Sequence, residues 1–375
     1  MERKLATIQL VESLTPIEGA DRIETAHVLG WEVVVKKGEF QVGDKVVYIE
    51  VDSILPEVPA FEFMRERRFR VKTIKLRKQI SQGLVLPMIE VGLVPSYYSI
   101  GHDVTALLHI TKYDPQQLEE DKLLAQKEAF HRGRIQKFLY KYKWYRNLFL
   151  KTKKKDKFPS FISKTDEERI QNMPQILPLI KGKGLLVDIT EKIDGQSGTY
   201  FLLRERVKTW YGKTKTSYLF GVCSRNLHLP NKDNSSYWQM AEKYAIKNVL
   251  LQMLDYYDND LIVLQGEIYG EGIQGNKYNL KGKDFAVFNL KVNGNYCKYS
   301  NMETMLRISG SNMKCVPLLY SDYVLPETVN EVIELSKGIS TLHNVKREGI
   351  VVRNTEKNIS FKGINPEFLL KFEEA

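Results

Sequence analysis

The residues that most plainly could do chemistry lie in Glu191-Lys192-Ile193-Asp194-Gly195-Gln196-Ser197, at the end of an apolar run. A lysine closing a strand just before a turn can present its amine to a nucleotide pocket. To act as a nucleophile it must lose a proton, from an ordinary pKa near 10.4. Burial and nearby cations both push that value down. Four residues of K-x-D-G also fit a surface turn, so the rest of the chain must supply the companions.

The companions occur in order. Ser224-Arg225-Asn226 follows a Tyr218–Cys223 strand. Glu267 is the one acid of Ile262–Gly270, and a carboxylate in an apolar strand is costly without a partner. Phe285–Leu290 carries Phe288, an aromatic able to stack on a base. Glu348 opens the apolar run Gly349–Arg353. Lys362 closes Ile359–Lys362, and Lys371 follows in Phe368–Phe372. Three acids, clustered cations and a lysine are what phosphoryl transfer needs, since it depends on positioning and neutralised charge. Three carboxylates suit a hard, oxygen-seeking divalent cation.

Other chemistries are excluded by spacing. Gly270-Glu271-Gly272-Ile273-Gln274-Gly275 matches G-x-G-x-x-G, but the following Asn276–Gly282 is poor helix, against a dinucleotide fold. Lys181–Gly184 lacks the spacing of a phosphate-binding P-loop. Cys223, Cys297 and Cys315 are isolated, which argues against a disulfide framework or a CxxC site and fits a reducing compartment. The six histidines show no paired ligand spacing. With no long apolar N-terminal run and no 18-residue apolar window, an intracellular protein without a membrane span is expected.

The elements that must position these residues divide the 375-residue chain. Residues 1–112 read as all-β: Leu5–Val11, Ile23–Val35 interrupted near Gly30, Lys45–Val51, Phe69–Leu76 and Gly83–Pro87, separated by Gly/Asp/Pro punctuation. Five short strands suit a closed barrel of the OB type, a fold that often binds nucleic acid. Residues 113–157 read as a helical, basic connector. Arg132–Lys157 holds eleven Lys/Arg and one acid, Asp156, and thereby the whole net charge of +10. Ile135, Phe138, Leu139, Tyr142, Tyr145 and Phe149 recur at helical steps there. The segment fits equally a solvated linker helix and a phosphate-backbone contact; a membrane-surface helix is a third option.

Residues 158–375 read as α+β. Strands are expected at 185–190, 199–203, 218–223, 261–269, 285–292, 349–353 and 358–362, and helices at 237–257, 301–309 and 326–336. The basic loop 204–217 reads as an insertion, either a solvated hairpin or an RNA contact.

The collinear series, with Lys164-Thr165-Asp166-Glu167-Glu168-Arg169 ahead of the K-x-D-G strand, resembles the motifs of the covalent nucleotidyltransferases: DNA ligases, RNA ligases and capping enzymes. An OB module placed first is similar to the fifth RNA ligase family. The resemblance implies an ATP-dependent RNA ligase joining 3′-OH and 5′-phosphate ends through lysyl-AMP and AMP-capped RNA, as in nick sealing and RNA repair. It implies Lys192 as nucleophile and Glu191 beside the adenine. Arg225 and Glu267 would contact the ribose, and Phe288 and Val351 would sandwich the base. Lys362 would sit on the α-phosphate and Arg169 on the β/γ-phosphates. Asp194, Glu267 and Glu348 would hold hydrated Mg²⁺ or Mn²⁺. Asn226 and Lys371 are further candidates. RNA is the implied partner, and a monomer is expected. A DNA ligase, a capping guanylyltransferase and a non-catalytic basic nucleic-acid-binding protein are the rival readings; competent side chains at every catalytic position speak against the last.

Overall fold

The computed structural model describes residues 3–113, 157–208, 214–230 and 232–373. The connector expected over 113–157 lies almost wholly outside the described residues, as does the tip of the 204–217 loop.

The N-terminal part is all-β with short 3₁₀ turns. Strands β1 (Ala6–Leu10), β2 (Ser13–Pro16), β3 (Ile23–Val28), β4 (Trp31–Lys36), β5 (Lys45–Ile49), β6 (Ser53–Ile54), β7 (Thr73–Leu76), β8 (Gln79–Gln82), β9 (Leu84–Pro87) and β10 (Thr111–Lys112) form small antiparallel sheets. Alternation sends Trp31, Val33 and Val35 inward from β4 while Glu32 and Val34 are half-exposed. They pack with Tyr48 and Val85 as one core. Leu5, Ile8, Val47, Ile49, Phe61 and Met88 make a second. This is the OB-fold expected. The run expected from Ile23 to Val35 is two strands turning at Leu29-Gly30, and the run expected from Phe69 is a hairpin strand that starts only at Thr73.

The C-terminal part is α+β. Its first elements are β11 (Glu168–Arg169), α1 (Ile176–Gly182), β12 (Val187–Lys192), β13 (Gln196–Lys208) and β14 (Thr214–Cys223). Helices α2 (Ser236–Lys243) and α3 (Ile246–Tyr256) follow, then β15 (Leu261–Gly270), β16 (Lys283–Val292) and β17 (Asn295–Tyr296). The chain closes with α4 (Tyr299–Ile308), β18 (Lys314–Cys315), β19 (Leu318–Tyr323), α5 (Val329–Ser336), β20 (Gly349–Asn354), β21 (Ile359–Ile364) and α6 (Pro366–Glu373).

One sheet runs β11-β21-β20-β12-β19, the other β14-β13-β15-β16-β17 with β18 also on β16. Helices α2, α3 and α4 cover the second sheet through Leu250, Leu254, Met302 and Met305. The helix expected over 237–257 is two helices, because Ala245 takes φ 46° and turns the chain between them. Alanine gives no sequence signal of a break. Neither α1 nor β19 is among the expected elements; both are short, and β19 is exposed at Leu318, Ser321 and Asp322.

The two parts are joined by buried polar contacts. Trp31 Nε1 donates to Asn172 Oδ1 at 2.6 Å, and Gly30 N–H donates to the Gln171 carbonyl at 2.9 Å. Asn172 Nδ2 donates to Glu168 Oε1 at 2.8 Å and also to Glu50, which Arg3 ion-pairs. A Cβ on Gly30 would lie 2.8 Å from Gln171 Cα, so only glycine admits this approach.

Asn172→Ala strips a donor from Glu50 and an acceptor from Trp31. Leaving buried polar groups unmatched costs about 1–3 kcal/mol, so the thermal midpoint should fall. An unchanged midpoint would show that the junction does not depend on this side chain.

Candidate active site

Sheet register brings the sequence candidates together. Lys192 ends β12 directly opposite Gly349, so Glu348, one residue earlier on the neighbouring strand, meets the lysine. Lys192 Nζ donates to both Glu348 oxygens, at 2.7 and 2.6 Å. On the next strand pair Val351 lies opposite Lys362. The second sheet closes over the first at the K-x-D-G turn. A Cβ on Gly195 would fall 2.3 Å from the Ile268 carbonyl and 2.9 Å from Glu267 Cγ. Glycine there is what lets Glu267 approach the lysine's turn.

The result is a cavity of about 520 Å³. Lys192, Glu191, Asp194, Glu267, Glu348, Phe288, Val351, Lys362, Arg225 and Arg169 all line it. Phe288 and Val351 reach it from different sheets. Arg353 donates to the Phe288 carbonyl at 3.0 Å and ion-pairs Glu167 at 2.6 Å, bracing that wall.

The charges are strongly coupled. Burial alone would depress the Lys192 ammonium, yet Glu348, then Glu267 and Asp194, hold it above its ordinary value. Burial pushes the Glu267 carboxyl up to about 8; Lys192 opposes that, while Glu348 and Asp194 add to it. Burial and then Glu348 push Asp194 up to about 6, although Lys277 sits 3.0 Å from its Oδ2. Lys362 falls to about 8 chiefly through burial; Asp166 pulls the other way, and Arg3, Arg169 and Lys192 add to the fall. The pocket thus holds a carboxylate cluster short of positive charge beside a cation cluster short of negative charge.

Several participants were not singled out from sequence. Asp166 accepts from Lys362 at 3.2 Å and Arg225 at 2.7 Å, and pairs with Lys112 at 3.2 Å. Its carboxyl is only partly screened from solvent, and those three cations hold it well below the usual range against the cost of desolvation. The OB-fold contributes Arg3, Asp52, Arg70, Lys72 and Lys112 to the cavity wall. Lys277 and Gln274 come from the glycine-rich loop dismissed as a dinucleotide motif. No short-range pattern marks these residues; folding alone assembles them.

Arg169 Nη2 meets the OB residue Asp52 at 3.1 Å, while its Nε and Nη1 are buried without a hydrogen-bond partner. Glu191 receives the N–H and hydroxyl of Thr341 on Oε2, both at 2.9 Å, and its buried Oε1 has no partner. Asn226 lies beside the cavity, accepting from Lys164 at 3.0 Å, and is not part of its wall. Lys371 is exposed on α6, against the Phe372 ring, and does not line the cavity.

An OB-fold preceding a two-sheet domain with a lysine and converging acids in its cleft defines a covalent nucleotidyltransferase. Comparison narrows this. An OB-fold domain model matches residues 5–88 and an RNA ligase model residues 186–372. Among solved structures, a mutant of Naegleria gruberi RNA ligase with ATP and Mn is 33% identical, with 100% of both chains covered and a TM-score of 0.76. The same ligase with PPi gives 33%, 100% of both chains and 0.75, as does another of its mutants with AMP and Mn. A comparison with curated protein sequences finds no match. The chain belongs to the RNA ligase family; it is an enzyme, and the rival readings of a DNA ligase or a non-catalytic binder fall away.

A carboxyl raised by folding favours the protonated form. Its share of stability is present below the unfolded pKa and is lost as pH rises through the folded one. For Glu267 that window runs from 4.5 to about 8. Without metal, Glu267→Gln should therefore raise the thermal midpoint relative to the parent at pH 8 more than at pH 5. An equal effect at both would place the strain elsewhere.

Proposed function

We propose that Lys192 carries the adenylyl group and that the cavity residues divide the phosphates, base and metal among them. The protein is an ATP-dependent RNA ligase. RNA is its substrate class, and no helix among the described residues is long and apolar enough to cross a membrane. The division into an OB unit at 1–112, a connector at 113–157 and a nucleotidyltransferase unit at 158–375 is our reading, as is a monomer acting inside the cell.

The carrying observation is the bidentate contact of Lys192 with Glu348 in a cleft that also holds Glu267 and Asp194. In the first step Lys192 Nζ bonds to the α-phosphorus of ATP, the bond to the β-phosphate oxygen breaks, and pyrophosphate leaves. Glu348 is the nearest acceptor for the ammonium proton. The two unpartnered donors of buried Arg169 suit the departing phosphates, and the depressed amine of Lys362 suits the α-phosphate. Glu191 Oε1, an acceptor without a donor, suits the adenine amino group between Phe288 and Val351. Arg225, held by Asp166, suits the ribose. In the second step a 5′-phosphate oxygen of RNA displaces Lys192 from the adenylyl phosphorus. In the third a 3′-hydroxyl attacks that 5′-phosphorus and AMP leaves with its bonding pair.

Asp194, Glu267 and Glu348 fit a divalent cation by their chemistry: hard oxygen donors, of which Asp194 and Glu267 hold their protons above the ordinary range through burial first and the neighbouring carboxylates second. Among the described residues no three stand close enough to hold an ion directly, so Mg²⁺ or Mn²⁺ would be held through its water. When bound, such an ion offsets the charge gathered around the α-phosphate.

Lys192→Ala should abolish the covalent AMP adduct formed from labelled ATP while leaving the fold intact. Glu348→Ala should reduce it by orders of magnitude, since a lost contact to developing charge costs roughly 10²–10³ in rate. An adduct mapped to another lysine would overturn the assignment.

A further inference from the structure

The net charge concentrates in the connector, yet a second basic run lies in the OB-fold. Residues 65–78 hold eight Lys/Arg and one acid, Glu66. We infer that this segment, from Arg67 to the β7–β8 hairpin tip at Arg77-Lys78, is a track for the phosphate backbone of the RNA flanking the end being joined. The inference rests on the RNA ligase reading and adds a surface to it.

Position comes first. Arg70 and Lys72 line the catalytic cavity, and the chain then leaves it as β7. Beyond them Lys75, Arg77 and Lys78 are exposed, as are Arg67 and Arg68 before them. Five extended residues from Lys72 to Arg77 span about 17 Å, on the order of five phosphates along one strand at 3.4 Å each. The hairpin does not project freely. Strand β7 packs on α6 and Lys75 acts electrostatically on Glu367 there. The tip is thereby held at a fixed distance from Lys192.

Pairing is second. Arg65 is engaged by Glu62 and Glu57. Among the described residues, Arg67, Arg68, Arg77 and Lys78 have no carboxylate within ion-pair distance. A solvated basic face is usually interspersed with acids; these four cations lie, two before and two after in sequence, on either side of the cavity-lining Arg70 and Lys72.

Backbone strain is third, and independent of charge. The two-residue turn of the hairpin places Arg77 at φ 48° and Lys78 at φ 70°. Two positive φ values in a two-residue hairpin belong to the turn that Asn-Gly fills best. Arg68, closing the 3₁₀ turn Pro59–Arg67, also sits at φ 52°, where glycine is usual. At three exposed positions the chain carries a long cation where the backbone favours Gly or Asn. Strain retained at exposed sites points to function.

This gives a test that separates binding from folding. The variant Arg68→Gly/Arg77→Asn/Lys78→Gly gives each position the residue its backbone prefers, so its thermal midpoint should hold or rise. Lysyl-AMP formation from ATP should be unchanged, because none of the three lines the cavity. Binding to a nicked RNA duplex should weaken, and its log–log salt dependence should flatten by up to about 2.7, at roughly 0.9 per lost phosphate contact. Sealing should fall with it. An unchanged salt slope with normal sealing would overturn the track while leaving the ligase reading intact. If the midpoint falls instead, Arg67→Gln/Lys78→Gln, which leaves the turns their side-chain bulk, decides by the same slope: flattened supports the track, unchanged overturns it.

Discussion

The ion pair between Lys192 and Glu348 is the interaction on which the rest of the site depends. The nucleophile proposed for Lys192 is the free amine, but this pocket stabilises the ammonium, because three carboxylates face one lysine. Burial, with the same crowding added to it, raises Glu267 and Asp194. The resting pocket is therefore a set of groups that cannot all be charged at once, and the missing term is positive charge. Phosphates are repelled by such a cluster unless cations come with them. A site of this kind spends folding stability on chemistry, and Glu267, half-buried and the one acid of its strand, shows where.

The other half of the cleft has the opposite imbalance. Arg169, Arg3, Lys362, Arg225 and Lys112 crowd around Asp166 and Asp52, and two donors of Arg169 have no acceptor. Burial depresses the amine of Lys362, and the neighbouring cations add to it. Much of this cationic wall comes from the OB-fold, which is fastened to the catalytic sheets through Asn172, Trp31, Gly30 and Glu50. The OB-fold thus lines the cavity proposed for the nucleotide, and cannot be regarded only as an appended RNA-binding module. Deleting it should therefore disturb the first chemical step as well as sealing.

Sequence carried much of this because phosphoryl transfer constrains residue type at strand ends. Lys192, Asp194, Glu267, Glu348 and Lys362 each close or interrupt an apolar run, and their order survives without coordinates. The roles of Asp166 and Lys277 were not legible, since nothing local marks them; the partners of Asp166, for example, lie 54, 59 and 196 residues away. Arg3 and Asp52 were hidden for the same reason. The break at Ala245 lacks any glycine or proline to announce it. The basic hairpin was concealed by bookkeeping: acids elsewhere cancel its charge in any total outside the connector, and its strained turn is visible only in φ.

The central claim is that carboxylates mask Lys192 and that neutralising them frees it. The most direct measurement is the pH dependence of single-turnover adenylylation at a series of Mg²⁺ concentrations. The rising limb, set by deprotonation of Lys192, should shift to lower pH as Mg²⁺ increases. A limb that stays at the same pH while the rate climbs would contradict it.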